Sequence, residues 1–161
     1  MENICKELLS RLRENNLTLA TAESCTGGLV AKTITDISGA SSVFLGGVVS
    51  YQNEIKINVL GVSPCTIDTY TEVSCKCAEE MALGVCRAMN SHIGISTTGF
   101  AGPGGGTDAD PVGTVYLGLA IEGQVFSQRL ALDSHLSRDE IRQGATKALL
   151  LKLLEKIKEK Y

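Results

Sequence analysis

The sequence predicts an α/β fold, a single layered domain with a mixed central sheet flanked by helices. Amphipathic segments with helical spacing alternate with short apolar or β-branched runs in the first part of the chain. Near the end, two apolar runs are joined by Glu122-Gly123, which indicates an antiparallel hairpin beside strands that are separated by helices. The 161 residues contain no internal repeat or linker segment, so we expect one domain over residues 1–161.

Apolar spacing and turn residues define the elements of the first half. Ile4, Leu8 and Leu12 recur at helical spacing, and Asn15 follows as an end signal. Small residues interrupt the chain before a second helix, which Thr26 is able to cap. The predicted elements are a helix over 4–14, a strand over 17–22, a helix over 29–37, a strand over 44–51 and a short helix over 53–60.

The second half continues with one helix, three strands and a long final helix. Ser137, with Glu140 three residues later, forms the sequence signature of a capping box. A glycine-rich loop over 99–111 separates the first two of these strands. The predicted elements are a helix over 74–90, strands over 93–98, 112–121 and 124–131, and a helix over 137–160.

Composition argues against several classes of protein. No apolar run reaches 18 residues, which predicts no membrane-spanning helix, and the early acidic residues Glu2 and Glu7 do not fit a secretory signal. We therefore expect a cytoplasmic protein. The net charge of −3 is atypical of nucleic-acid binding. The six cysteines form no C-x-x-C pair, so we expect neither a metal site nor a disulfide framework.

The turn over residues 23–28 is the first segment that can carry chemistry. It follows a strand, opens a helix and contains Ser24, so helix N–H groups can favour negative charge beside a nucleophile. Serine needs a base to act as a nucleophile, and the turn taken alone is equally typical of a structural cap. Cys25 is a rival nucleophile, because a helix N-terminus lowers the pKa of a thiol.

Lys56 is the candidate base. It lies one helical turn beyond Asn53, after a strand that ends at Tyr51. A partly buried lysine loses its charge easily and can accept a proton, although a surface lysine on a short helix has the same sequence. His92 and His135 lie away from the serine-rich turns, which favours a Ser–Lys arrangement over a Ser-His-Asp triad.

The glycine-rich loop over 99–111 is longer than a hairpin requires and has five glycines in its first eight positions. Its N–H groups can form an anion nest, although the loop has neither a Walker A lysine nor a dinucleotide fingerprint. Arg138 and Arg142 lie four apart on the last helix and can bind a phosphate. They can equally be solvated charges paired with Asp139 and Glu140.

Five segments occur together in one order: Thr21-Ala-Glu-Ser-Cys-Thr-Gly-Gly28, Tyr51-x-Asn-Glu-x-Lys56, Thr98-Gly-x-Ala-Gly-Pro-x-Gly-Gly106, Pro111-Val-Gly-Thr-Val-Tyr116 and Arg138-x-x-Ile-Arg142. In this order the chain resembles the CinA C-terminal domain family, and in particular its stand-alone, PncC-like nicotinamide-nucleotide amidases. The resemblance extends from the first strand to the last helix. It implies hydrolysis of the carboxamide of nicotinamide mononucleotide to nicotinate mononucleotide and ammonia, without a metal or a cofactor.

In that scheme Ser24 matches the nucleophile, Lys56 the base that takes its proton, and Tyr51 a residue that supports the pair. The resemblance also implies a homodimer, a pyridine mononucleotide as ligand, and substrate contacts at Ser41, Thr98 and Arg138. The turn and the loop add further candidate substrate-binding residues: Glu23, Thr26, Gly27, Gly28, Gly102, Gly104, Gly105 and Gly106.

Two alternatives stay open at this point. The phosphate of the substrate can be held by the 102–106 loop or by Arg138, and the pattern does not distinguish them. The chain can also be a catalytically weak nucleotide-binding or regulatory module that keeps the pocket without turnover.

Overall fold

The computed structural model describes residues 1–161 and contains five strands and six helices, with a short 3₁₀ turn at Ala40–Ser42. The strands are β1 (Leu19–Glu23), β2 (Phe44–Val49), β3 (Ile93–Gly99), β4 (Thr114–Ile121) and β5 (Gln124–Ala131). The helices are α1 (Glu2–Glu14), α2 (Leu29–Thr35), α3 (Asn53–Asn58), α4 (Pro64–Tyr70), α5 (Cys75–Met89) and α6 (Arg138–Lys160).

The five strands form one mixed sheet in the order β2-β1-β3-β4-β5. β1 pairs in parallel with β2 and β3, whereas β4 pairs antiparallel with β3 and β5. This confirms the predicted α/β fold with a mixed central sheet. The chain reaches β2 on one side of β1 and returns to β3 on the other, so the carboxyl ends of β1 and β3 frame a switch point. Ligands of open α/β sheets bind in the crevice at such a point.

One face of the sheet packs against α1, α2 and α6 to form the larger core. Leu19, Ile93 and Ile95 point into it from the central strands, and all three are fully buried. Helix α6 contributes an apolar stripe consisting of Ile141, Ala145, Leu149, Leu150, Leu153, Leu154 and Ile157. The last helix therefore packs its apolar face on its own sheet.

The other face of the sheet lies against α5 and carries small residues that let this helix approach closely. A Cβ atom on Gly94 or Gly118 would collide with the backbone carbonyl of Ala82 or Ala78, respectively. Between these glycines, Ser96 Oγ donates to the carbonyl of Ala78 at 2.6 Å. This close packing fixes α5 and the segment that precedes it against the central strands.

Helix α4 is the element that the sequence patterns do not predict. Ser63-Pro64 is a start signal for a helix, but the seven-residue segment that follows has little apolar periodicity. The carboxylate of Glu80 on α5 fixes its first turn, accepting from Ser63 N at 2.9 Å and Thr66 Oγ1 at 2.7 Å. Helix α4 thus depends on a tertiary contact.

Several predicted boundaries shift by one or two residues. The strand predicted over 44–51 ends at Val49, and the strand predicted over 112–121 begins at Thr114. The capping box of α6 is confirmed, since Glu140 N donates to Ser137 Oγ and Ser137 N donates to the Glu140 carboxylate. None of the six helices combines the length and the low charge that a membrane crossing requires.

Candidate active site

Ser24 directly follows β1, and its position is fixed by the neighbouring strand β3. Its backbone N–H donates to the carbonyl of Thr97 at 2.9 Å, which extends the β1–β3 pairing by one residue. The side chain is 9% exposed and opens onto a cavity at the carboxyl end of the sheet. A serine at this switch point is accessible to a ligand but largely shielded from bulk water.

Lys56 reaches Ser24 from helix α3. Its Nζ lies 3.1 Å from Ser24 Oγ and donates to the carbonyl of Ser50 at 3.0 Å. Lys56 is only 1% exposed, and it forms no ion pair with any carboxylate in the chain. The structure therefore brings together the two residues that the sequence pairs as nucleophile and base.

The surroundings of Lys56 favour its neutral form. Burial lowers the pKa of its ammonium below the ordinary range of lysine, while the nearby groups of Cys77, Glu72 and Cys25 act in the opposite direction. A neutral amine has a lone pair, and the contact with Ser50 occupies only one of its N–H groups. The remaining lone pair can accept the hydroxyl proton of Ser24 across the 3.1 Å contact.

Cys25 does not have the lowered pKa that its place in the sequence suggests. It is 5% exposed and belongs to the larger hydrophobic core. Burial raises the pKa of its thiol to about 12, against a smaller opposing effect of a hydrogen bond with Thr97. The thiolate needed for attack is therefore scarce near neutral pH, which argues for Ser24 as the nucleophile.

For the amide hydrolysis that the resemblance implies, we expect Cys25→Ala to release ammonia within about threefold of the rate of the unsubstituted protein, because a protonated core thiol contributes packing alone. The measurement is the initial rate with nicotinamide mononucleotide. Cys25→Ser, which keeps the size and adds a hydroxyl, is the matched control. Loss of activity in Cys25→Ala with a folded protein and an active Ser24→Ala variant would instead make Cys25 the nucleophile.

Glu23 is placed differently from the prediction that it contacts substrate. Its carboxylate is 1% exposed and caps the N-terminus of α2. The donors are the N–H groups of Gly28 and Val30 at 3.0 Å and of Ala31 at 2.8 Å, together with the hydroxyl of Thr26 at 2.6 Å. The positive end of this helix is therefore already occupied by a carboxylate of the chain.

Thr26, Gly27 and Gly28 also lie outside the cavity, contrary to the prediction. Thr26 is fully buried, and it does not cap α2 itself: its hydroxyl donates to Glu23 and accepts from Thr97 Oγ1 at 2.7 Å. The two glycines adopt φ values of 58° and 96°, which turn the chain toward α2 and favour glycine. These residues shape the turn that presents Ser24.

Arg142, which lies on α6, binds the backbone of the same turn. Its Nε and Nη2 atoms donate to the carbonyl oxygen of Thr26 at 3.1 and 2.5 Å. The guanidinium also lies beside Gly27. Of the two arginines that the sequence offers as phosphate ligands, Arg142 is therefore engaged with the backbone and is absent from the cavity lining.

Tyr51 and Arg138 meet at the entrance of the cavity. Arg138 Nη2 donates to the Tyr51 hydroxyl at 2.8 Å, and its Nη1 donates to the carbonyl of Gly102 at 2.6 Å. Tyr51 is 56% exposed and contacts neither Ser24 nor Lys56 by a hydrogen bond. The structure therefore pairs Tyr51 with the arginine, whereas the resemblance implies support of the Ser–Lys pair.

The glycine-rich loop provides unpaired donors next to this arginine. The backbone N–H groups of Ala101, Gly102 and residues 104–106 have no partner within the chain. Gly104 lines the cavity, whereas Gly102, Gly105 and Gly106 do not. Of the four glycines of the predicted anion nest over 102–106, Gly104 is therefore the one placed to contact a ligand in the cavity.

Ser41 lies far from the other predicted site residues. It is exposed in the 3₁₀ turn that precedes β2, whereas Tyr51 follows β2. A strand of six residues spans about 20 Å, so Ser41 lies at the opposite edge of the sheet from Ser24. The prediction that Ser41 lines the same site does not hold in the single chain.

The cavity has a volume of about 280 Å³. It brings together six of the predicted residues: Ser24, Tyr51, Lys56, Thr98, Gly104 and Arg138. Its remaining lining residues are Cys25, Gln52, Asn53, Glu72, Val73, Gly99, Phe100 and Ala101. Gln52 and Asn53 lie inside the Tyr51–Lys56 motif, which could have indicated them, but Glu72 and Val73 carry no motif. No group of three His, Cys, Asp or Glu side chains in the chain is arranged to hold a metal ion.

One backbone donor beside Ser24 is free to stabilise negative charge in the cavity. Of the four N–H groups of the turn, Cys25 to Gly28, those of Gly27 and Gly28 are bound to Ser24 O and Glu23. The N–H groups of Cys25 and Thr26 have no hydrogen-bond partner in the chain, but Thr26 is fully buried and only Cys25 lines the cavity. A free N–H group next to a nucleophile can stabilise an oxyanion, so Cys25 N is the candidate donor.

Comparison with known proteins identifies the family. The family model described as the CinA C-terminal domain matches residues 1–157. A relative from Thermoanaerobacter sp. (strain X514), named after competence-damage inducible proteins, is 51% identical over 138 residues, covering 86% of this chain and 33% of the relative. A CinA-like protein of Shewanella pealeana is 46% identical over 145 residues, covering 90% and 34%. The chain thus spans about a third of the length of the curated relatives that it matches.

Solved structures have the same fold. The competence/damage inducible protein CihA of Agrobacterium tumefaciens is 35% identical with a TM-score of 0.92, covering 96% of this chain and 93% of that one. The competence damage-inducible protein A (ComA) of Klebsiella pneumoniae is 31% identical with a TM-score of 0.94, covering 99% and 98%. Because the family model matches residues 1–157 and solved competence/damage inducible proteins share the fold, the chain belongs to the CinA C-terminal domain family.

Proposed function

We propose that this domain is an amidase that hydrolyses the carboxamide of nicotinamide mononucleotide to nicotinate mononucleotide and ammonia. The observation that carries the proposal is the 3.1 Å contact between Ser24 Oγ and the buried Nζ of Lys56, which has no carboxylate partner, in a cavity at the switch point of the sheet. A module that only bound a nucleotide would not require a desolvated lysine against a serine. The family resemblance supplies the substrate.

The first half of the proposed reaction forms an acyl-enzyme. Lys56 takes the hydroxyl proton of Ser24 as Oγ attacks the carboxamide carbon, and the N–H group of Cys25 stabilises the resulting oxyanion. The C–N bond then breaks as the Lys56 ammonium gives its proton to the leaving nitrogen. Ammonia departs and an ester with Ser24 is left.

The second half hydrolyses this ester. Neutral Lys56 accepts a proton from a water molecule, whose oxygen attacks the ester carbon. The bond to Ser24 Oγ breaks, and the proton on Lys56 returns to that oxygen. Nicotinate mononucleotide leaves with the serine and the lysine restored, so one water is consumed for each ammonia released.

Arg138 and the N–H groups near Gly104 are proposed to hold the phosphate and the ribose. Arg138 lines the cavity and is oriented by Tyr51 and Gly102, so its position is set before a ligand enters. Tyr51 accordingly orients the anchor rather than the Ser–Lys pair. The homodimer that the resemblance implies and the cytoplasmic location that the sequence favours stay predictions.

The test is the reaction itself. The purified domain is mixed with nicotinamide mononucleotide, with and without EDTA, and ammonia and nicotinate mononucleotide are quantified together. We expect equal amounts of the two products at a rate unaffected by EDTA. Saturable binding of the nucleotide with no product would contradict the proposal and favour a regulatory module.

The pH dependence of the reaction follows from the burial of Lys56. Because the neutral amine is the base and burial lowers its pKa, kcat/KM is expected to rise with pH to a midpoint below about 10.4, the ordinary value for lysine. The measurement is kcat/KM across a series of buffers, with the nucleotide checked for stability at each pH. A rate that falls as pH rises through this range would exclude Lys56 as the base.

A further inference from the structure

The cavity contains one carboxylate that the proposed chemistry does not use, that of Glu72. This half-buried residue lines the cavity together with Lys56 and Thr98. Its side chain accepts no hydrogen bond and forms no ion pair within the chain, although its charge reaches Lys56. A partly desolvated carboxylate without a partner is costly, which indicates a group that faces a ligand.

The backbone holds residue 72 at the cavity wall. Thr98 Oγ1 donates to the carbonyl of Glu72 at 2.6 Å, and Thr98 is fully buried on the central strand β3. On the other side, Thr71 adopts φ 68° and ψ 168°, a conformation that is essentially restricted to glycine. Its Oγ1 accepts from Val73 N at 3.3 Å. The segment is thus anchored on both sides of Glu72.

The acidic side chain of Glu72 and the basic side chain of Arg138 line the same cavity without forming an ion pair. Glu72 is close enough to Lys56 to oppose the effect of burial on the pKa of that lysine, whereas Arg138 is fixed at a second point by Tyr51 and Gly102. As the base of the proposed reaction, Lys56 is neutral and adds no charge. Ser24, Glu72 and Arg138 line one cavity of about 280 Å³, so a substrate whose amide reaches Ser24 can place the ring that bears this amide near Glu72 and extend its phosphate toward Arg138.

Resting on the proposed function, we infer that Glu72 is a specificity-determining residue that favours amides on a positively charged aromatic ring over amides on a neutral ring. The pyridinium of nicotinamide mononucleotide carries its charge on the ring that bears the carboxamide. A carboxylate attracts this charge strongly in a partly desolvated cavity. Phe100, whose aromatic side chain also lines the cavity, can add a cation–π contact.

Reduced nicotinamide mononucleotide is the matched probe. It has the same amide, ribose and phosphate, but its dihydropyridine ring is uncharged. The experiment measures kcat/KM for ammonia release from both nucleotides at one slightly alkaline pH, so that any change in the pKa of Lys56 affects both alike. The proteins are the unsubstituted chain, Glu72→Gln and the control Glu54→Gln, which removes an exposed carboxylate of α3 outside the cavity lining.

We expect Glu72→Gln to lower kcat/KM for the oxidised nucleotide by about tenfold and to change that for the reduced one by less than about twofold. Glu54→Gln should leave the ratio of the two unchanged. Equal losses with both nucleotides would show a structural role for Glu72 and overturn the inference, while leaving the proposed amidase intact.

If the unsubstituted protein releases no ammonia from either nucleotide, the proposed amidase function is refuted, but the role of Glu72 is still tested. In that case the affinities of the same three proteins for the two nucleotides, measured by calorimetry, decide the role of Glu72. An approximately tenfold weaker binding of the oxidised form alone to Glu72→Gln supports the inference. Unchanged relative affinities, or no binding of either nucleotide, overturn it.

Discussion

Replacing Lys56 with methionine is expected to lower kcat/KM for ammonia release by about 10³- to 10⁴-fold while the protein stays folded. Methionine fills much of the same volume but cannot accept the proton of Ser24, from which Nζ lies 3.1 Å away. The Ser50 carbonyl loses its donor, a cost of about 1 kcal/mol that is offset because a buried amine is no longer desolvated. Initial rates and a denaturation curve of the variant check both parts.

Ser24→Ala is expected to cause a loss of the same size, and the double variant Ser24→Ala/Lys56→Met to be no slower than either single one. Residues that act as one unit have strongly non-additive effects, because removing either member already abolishes the step. Lys32→Met, which removes an exposed lysine on α2, is the control and should keep full activity. A Lys56→Met variant with more than about a tenth of the original rate would remove Lys56 from the mechanism.

Replacing Glu23 with glutamine is expected to lower the free energy of unfolding by about 3 kcal/mol. The carboxylate accepts from three backbone N–H groups and one hydroxyl, whereas a glutamine amide presents two N–H donors to the same cluster. At 1% exposure, water cannot satisfy the groups that lose their partner. Chemical denaturation of the variant measures the change.

The same substitution should also reduce activity, since Ser24 is the next residue and its turn depends on this cap. Asp68→Asn is the control, because it neutralises an exposed carboxylate without a hydrogen bond and should change stability by less than about 0.5 kcal/mol. If Glu23→Gln were as stable as this control, the cap would contribute nothing measurable to α2. The turn would then be held by Arg142 and the strand pairing alone.

The sequence predicts those features of the fold that local patterns determine. The capping box of α6 involves two residues three positions apart, so spacing alone reveals it. Ser24 and Lys56 are predicted because each belongs to a short motif that begins where a strand ends. Helix α4 is not predicted, since its first turn is held by a carboxylate on another helix.

Much of the candidate site could not be predicted, because its contacts join distant parts of the chain. Glu23 looks like a ligand residue until the start of α2 shows that its carboxylate is enclosed by N–H groups. Tyr51 and Arg138 are 87 positions apart, and only the fold brings them together. Glu72 belongs to no motif, and it lines the cavity in a segment whose carbonyl is bound by Thr98, 26 positions further along the chain.

Two consecutive threonines of β3 connect the nucleophile turn with the cavity wall. Thr97 binds Thr26 on one face of the sheet, and Thr98 binds the carbonyl of Glu72 on the other. Neighbouring residues of a strand point to opposite faces, so a slip of one residue in the β1–β3 register would turn each of these two hydroxyls to the other face of the sheet and break both hydrogen bonds. The pairing of β1 with β3 thus fixes Ser24 and Glu72 relative to each other, because the turn of Ser24 and the backbone of Glu72 are attached to two adjacent residues at the centre of the sheet.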